Sequence, residues 1–170
     1  DTFILHDSQD AYDVLNGGSG TDTIRDSGDG DIQLGQFASD NSIERIDGGD
    51  TPSRIVGDRA NNTLDFSNTR MTNISEIDGG DGNDTIIGSR GNDTINGGRN
   101  NDELSGGAGN DTLIGGSGRD TLDGGSGNDT FILHDSQDAY DVLNGGSGTD
   151  TIRDSGDGDI QLGQFASDNS

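Results

Sequence analysis

Cysteine, tryptophan and lysine are absent, proline occurs once, and aromatic residues make up 4% of the chain. Without cysteine no disulfide can staple the fold, which leaves metal ions as the only cross-link open to it. Hydrophobic residues make up 25% of the 170, well below what an ordinary globular core needs. No apolar run approaches membrane-spanning length, so no membrane insertion is expected. Positive charge is scarce as well: nine arginines face 33 acidic residues, and the net charge of -24 makes nucleic acid an improbable partner. The two histidines, His6 and His134, are one position in two copies of the same stretch, with no second imidazole near in sequence. Neither a zinc site nor a Ser-His-Asp triad is supported, and each histidine reads as a partly exposed turn residue.

What the chain has instead is glycine, 31 of them, and aspartate. Only Glu44, Glu76 and Glu103 among the acids are glutamate, which suits short carboxylates set in tight turns. From Gly79 to Ile132 six nine-residue units follow one another without a gap: GGDGNDTII, GSRGNDTIN, GGRNNDELS, GGAGNDTLI, GGSGRDTLD and GGSGNDTFI. The sixth place is always aspartate (Asp84, Asp93, Asp102, Asp111, Asp120, Asp129). The eighth is always a large apolar residue (Ile86, Ile95, Leu104, Leu113, Leu122, Phe131).

Glycines at the first, second and fourth places are expected to supply the positive φ of a tight turn and to leave carbonyls uncovered. The remaining three residues form a short strand, with the eighth side chain inward and the threonine before it outward. One unit cannot bury its apolar residue alone, whereas stacked units bury a continuous column. Stacked turns also crowd their aspartates, which repel unless a cation lies between them. Carboxylate and carbonyl oxygens select calcium over softer metals.

The pattern G-G-x-G-x-D-x-U-x, with U apolar, resembles the calcium-binding nonapeptide of the repeats-in-toxin (RTX) family. That resemblance implies an all-β fold, a right-handed parallel β-roll or β-solenoid with two nonapeptides per coil and several calcium ions between stacked turns. It implies ligand pairs Asp84 with Asp102, Asp93 with Asp111, Asp102 with Asp120 and Asp111 with Asp129. Metal-binding residues are expected at Asp22, Asp84, Asp93, Asp102, Asp111, Asp120, Asp129, Asp141 and Asp150. Turn residues Gly80, Gly82, Gly107, Gly109, Gly116, Gly118, Gly125 and Gly127 complete the set.

Residues 1–42 recur without a mismatch as 129–170, an offset of 128. Two readings compete, a tandem array and an engineered duplication; the array is preferred because such arrays are a recognised architecture, with 1–128 one repeat unit and 129–170 the start of an identical second unit, all of 1–170 being one continuous solenoid. The chain opens in mid-unit at Asp1, without GGSGN before it and without a signal peptide, so a fragment of a longer protein is expected. The register persists through Ser8–Asn16, with Asp13 sixth, and through Gly17–Arg25, with Asp22 and Ile24. In Asp26–Leu34, Gln33 stands where the apolar residue belongs, so an irregular coil is expected; Asp141, Asp150 and Asp159 repeat the series. Residues 35–78 read as degenerate coils within a 31-residue period that aligns Ile43 with Ile74 and Ile46 with Ile77. Their sixth places are Glu44, Ser53, Asn62 and Ser75, so calcium is expected to be absent there and hydrogen bonds to replace it. In all, eight to nine coils are expected.

The carboxylates fall at a structural period, so no catalytic residue is expected and the chain is not read as an enzyme. Outward threonines raise ice binding, but the third place holds Asp81, Arg90, Arg99, Ala108, Ser117 and Ser126, and strand preference explains the column. The resemblance implies a calcium-dependent structural or spacer module of a large secreted, adhesin-like bacterial protein, outside the cell or on its surface. Its partners would be calcium ions and neighbouring identical repeats. The alternative is a ligand- or carbohydrate-binding accessory module of an exported RTX enzyme or toxin, for which Tyr12 and Tyr140 give thin support.

Overall fold

The computed structural model describes residues 1–5, 15–27, 30–134, 140–155 and, for the backbone alone, 164–167. His6, Tyr12, Asp13 and Asp159 lie outside the described residues. Every element among them is a β-strand, and every strand pairing is parallel, so the chain coils. After β1 (Thr2–Leu5), the first coils each carry three strands: β2 (Thr23–Asp26), β3 (Ile32–Gln33) and β4 (Gln36–Phe37); then β5 (Arg45–Asp47), β6 (Ser53–Val56) and β7 (Thr63–Asp65); then β8 (Arg70–Thr72), β9 (Ile74–Asp78) and β10 (Thr85–Ile87). Later coils carry two: β11 (Thr94–Arg99) and β12 (Glu103–Ser105), β13 (Thr112–Ser117) and β14 (Thr121–Asp123), β15 (Thr130–Leu133) and β16 (Val142–Gly146), β17 (Thr151–Asp154) and β18 (Gln164–Ser167).

The strands stack into three sheets. A four-stranded sheet runs β1-β2-β5-β8, one seven-stranded sheet runs β3-β6-β9-β11-β13-β15-β17, and the other runs β4-β7-β10-β12-β14-β16-β18. Nonapeptides therefore alternate between two faces, and partners in the regular region lie eighteen residues apart, as Thr94 with Thr112 and Thr85 with Glu103. The 13-residue segments 35–47 and 66–78, each a nonapeptide with four extra residues, each add a strand to the short third sheet, so the early coils are three-sided. These longer coils consume residues quickly, and the main sheets hold seven strands where nine-residue counting alone gives eight to nine coils.

The coil period also explains why the 31-residue sequence repeat is not a stacking period. Ile46 stacks between Ile24 and Met71, while Ile77 stacks between Ile55 and Ile95. In the segment with Gln33 at the apolar place, Ile32 turns inward one residue early, is fully buried, and pairs with Ile55.

The eighth-place residues form the core. Ile86, Ile95, Leu113, Leu122 and Phe131 are fully buried, and Leu104 nearly so. The wider three-sided section needs larger fillers, and Phe37 and Phe66 supply them, stacked with ring centroids 5.0 Å apart. On the outer surface there, Arg54 ties neighbouring coils together through Glu76 at 3.0 Å, Asp31 at 3.7 Å and a short contact to Asp78. Burial works against its charge, yet Glu76, Asp78 and Asp31 together hold its pKa above the ordinary arginine value.

Truncating Phe66 to alanine should therefore cost ~3–5 kcal/mol, the usual range for a buried phenylalanine. The neighbouring exposed Thr63→Ala should cost under ~0.5 kcal/mol, the usual range for a surface change. Chemical denaturation of both variants checks the contrast, and equal losses would show that the stacked rings do not hold the wide section.

Candidate metal centre

Each nonapeptide turn is built by glycines with two different reasons for being glycine. Gly107 and Gly109 take φ of 96° and 126°, the left-handed region that glycine alone enters freely. The first-place Gly106 has ordinary φ, contrary to the expectation that all three glycines serve positive φ. A Cβ there would lie 2.5 Å from Asp111 Oδ2 and 2.7 Å from the Gly124 carbonyl, so close approach excludes a side chain. Asn100, in the one regular unit with no fourth-place glycine, takes φ 74° itself.

The sixth-place aspartates form two ladders, one for each line of turns. Oδ1 of Asp102 accepts the Asp84 N–H, Oδ1 of Asp120 that of Asp102, and Oδ1 of Asp141 that of Asp120, each at 2.8 Å. On the other line, Asp111 accepts from Asp93 and Asp129 from Asp111 at 2.8 Å, and Asp150 accepts from Asp129 at 2.9 Å. The four sequence-expected pairs thus meet across adjacent coils. Asp22 stands in an equivalent turn, where Glu44 accepts its N–H at 2.8 Å, so the longer acid makes the same backbone bond.

The second carboxylate oxygen has a different fate. Oδ2 of Asp84, Asp102, Asp111 and Asp129 is buried with no hydrogen-bond partner. It lies beside a first-place carbonyl of the next coil: the point that a Gly79 Cβ would occupy is 2.5 Å from Asp84 Oδ2 and 2.6 Å from Gly97 O. Second-place carbonyls are partly engaged, since Gly80 O accepts from Arg99 N and Gly107 O from Ser126 N, both at 2.9 Å. Each keeps one lone pair. Gly82, Gly116, Gly118, Gly125 and Gly127 occupy the same turns with positive φ. No group of three or more His, Cys, Asp or Glu side chains converges among the described residues, so any cation here relies on paired carboxylates and backbone carbonyls.

Where the aspartate is replaced, hydrogen bonds fill the gap. Asn62 Nδ2 donates to the Gly35 carbonyl at 2.9 Å, and its Oδ1 accepts the Asp58 N–H at 2.9 Å. The Ser53 hydroxyl lies 2.7 Å from both the Gly48 carbonyl and Asp26 Oδ2. Asp93 is an intermediate case: Ser89, standing where other units have glycine, donates to its Oδ2 from the backbone at 2.6 Å and from the hydroxyl at 2.9 Å.

A further ladder escaped the sequence reading, which treated the fifth place as free. Asn83 Oδ1 accepts the Asn101 N–H, Asn92 that of Asn110, Asn101 that of Arg119 and Asn110 that of Asn128, at 2.8 to 3.0 Å. These side chains reach forward to the next coil, whereas the aspartates reach back. The signal was present: asparagine holds the fifth place in five of the six units.

Burial pushes the Asp102 carboxyl up to about 7; the bond from Asp84 N–H opposes this and the charges of Asp120 and Asp84 add to it. Burial likewise raises Asp111 to about 6, against the Asp93 N–H bond and with Asp93 and Asp129 adding to the rise. Asp84, Asp93 and Asp129 are raised for the same first cause. The site is therefore a stack of carboxylates short of positive charge, with hard oxygens as its donors, and it fits calcium.

Residues 78–113 and 97–131 match the family model described as RTX calcium-binding nonapeptide repeat, in four copies. No curated protein and no solved structure matches the chain.

Two outcomes follow, the first for the metal-free chain and the second for the chain in calcium. Groups whose folded pKa is raised stabilise the fold fully below their unfolded value, ~3.9 for aspartate, and that contribution is lost as pH rises through the folded value. In chelator, β-structure seen by circular dichroism should therefore increase as pH falls from 8 through about 7 and 6. A spectrum independent of pH over that range would show that the ladder carries no charge strain. Separately, Gly106→Ala should abolish the ordered coil at that level, with loss of amide protection at Asp111 and Gly124 in hydrogen exchange; unchanged protection would contradict the close approach.

Proposed function

Because residues 78–131 are RTX calcium-binding nonapeptide repeats, we propose that this calcium-binding structural module is a spacer that folds when several calcium ions enter the ladders. The observation that carries the reading is the row of buried Oδ2 atoms without partners at Asp84, Asp102, Asp111 and Asp129, each beside a glycine carbonyl of the neighbouring coil. Those aspartates, with Asp120 and Asp141 in the ladder of Asp84 and Asp102, would hold the ions together with turn carbonyls. Asp150 stands at the end of one ladder, and Asp22 in the separate line of turns before the third sheet, where Glu44 accepts its N–H. The Asn62 and Ser53 turns need no ion, since their own hydrogen bonds meet the same groups.

Calcium supplies the positive charge that the stack lacks, and the protein's own residues do the rest. With net charge -24 and 31 glycines to order, self-repulsion and conformational entropy outweigh a thin apolar column. An ion that binds only the folded form adds RT ln(1 + [L]/Kd), so several sites together make a steep switch. Extracellular calcium modules bind in the ~10⁻⁴ to 10⁻³ M range, far above the free calcium of a cell interior, which couples folding to the outside of the cell. RTX repeats typically occur in secreted bacterial proteins, and an extracellular or surface position in such a protein fits this behaviour. No catalytic role is proposed.

A far-ultraviolet circular dichroism titration tests the coupling. Calcium should produce the β spectrum cooperatively, and magnesium, with its small and reluctantly dehydrated octahedral shell, should not. Asp111→Asn keeps the shape but removes charge, and should raise the calcium midpoint by roughly three- to tenfold, the effect of weakening one linked site. A chelated protein with the full β spectrum and an unchanged melting temperature would overturn the proposal.

A further inference from the structure

The 42 identical residues at the two ends form the same strand pair in two different sheets. β1 and β2 join Thr2 to Thr23 and Phe3 to Ile24 in the short third sheet; β15 and β17 join Thr130 to Thr151 and Phe131 to Ile152 in a main sheet. In the first copy β2 goes on to pair with β5, Thr23 opposite Arg45 and Ile24 opposite Ile46. In the second copy β17 is the last strand of its sheet. The other main sheet is continuous across both copies: six coils carry it from Gln36 in β4 to Gln164 in β18, the same residue one 128-residue unit later. Residues 160–161, the counterparts of β3, lie outside the described residues.

Burial points to what covers each end. Phe3 and Leu15, in the leading coils, are only partly buried, while their counterparts Phe131 and Leu143, with coils on both sides, are fully buried. At the trailing end the relation reverses: Ile152 is partly buried and its counterpart Ile24 fully. Each open end thus exposes a core residue that the other copy covers with a coil of the same unit. On the trailing side the covering strand is β5, Arg45–Asp47.

We infer that copies of the 128-residue unit joined head to tail make one uninterrupted solenoid, in which the main sheet that begins at β3 in one unit becomes the short third sheet of the next. One sheet runs through every unit. The other is handed over: it enters as β1-β2-β5-β8, stops at β8, and is replaced by the sheet that begins at β3. The occupant of the trailing edge at β17 is the β5 strand of a following copy, in the register that Thr23 and Arg45 already show. Six coils at ~4.8 Å each make the advance ~29 Å per unit. The inference rests on the spacer reading for its use alone, not for its geometry.

The test is a chain lengthened by one further unit, residues 43–170 repeated after Ser170, compared with the present chain by small-angle X-ray scattering in calcium. The maximum dimension should grow by ~29 Å with an unchanged cross-sectional radius and a single-peaked distance distribution. A two-lobed distribution, or growth without a constant cross-section, would overturn the inference. A cysteine pair adds a second readout: Thr151→Cys with cysteine at the added unit's counterpart of Arg45 should form a disulfide as readily as Thr23→Cys with Arg45→Cys in the present chain. Formation of the internal pair alone would also overturn it. The same ~29 Å growth in chelator would instead sink the calcium-coupled folding and leave the handover standing.

Discussion

A carboxylate oxygen buried without a hydrogen-bond partner is the constraint from which the rest of this fold follows. The turns of Asp84, Asp102, Asp111 and Asp129 each tuck the aspartate under the glycine five residues before it, use one oxygen to hold the adjacent coil, and leave the other buried without a hydrogen-bond partner on the side of a glycine carbonyl. That arrangement is unfavourable by itself, since burying a charge is tolerable only when it is paired. It also explains the composition. On the calcium-coupled reading proposed above, ions between turns take the place of a thick core, disulfides and helices, and that calls for glycine and short acids in quantity.

The degenerate coils show the alternative solution in the same molecule. Asn62 and Ser53 meet turn carbonyls with uncharged side chains, and the section around them is widened, filled by Phe37 and Phe66 and braced outside by Arg54. Where the ionic device is missing, packing and an arginine with three carboxylate partners appear. The two sections thus meet the same turn differently, one with charged carboxylates and the other with side-chain hydrogen bonds and packing.

Much of this was legible in the residues. The invariant sixth-place aspartate and eighth-place apolar residue gave the coil and its core column, while the facing pairs came from the RTX resemblance, which implies two nonapeptides per coil. The third sheet was not legible. The 13-residue segments look like units with a bulge, and nothing local says that the extra residues pair with their counterparts 22 to 25 positions away instead of looping out. The 31-residue alignment records how the sequence duplicated and not how the coils stack. The asparagine ladder was readable but passed over, since a polar residue in a turn has an ordinary explanation until its acceptor is seen to meet the next coil.

The change from three faces to two also divides the rod mechanically. A closed triangular tube resists bending in every direction, as a folded strip of card does. Two sheets laid face to face form a plank, stiff across its width and compliant through its thickness. The section up to Ile87 is of the first kind and the section from Thr94 onward of the second. Under a sideways load the strain should gather in the plank, in the direction normal to its sheets, and the tube should turn as a rigid segment.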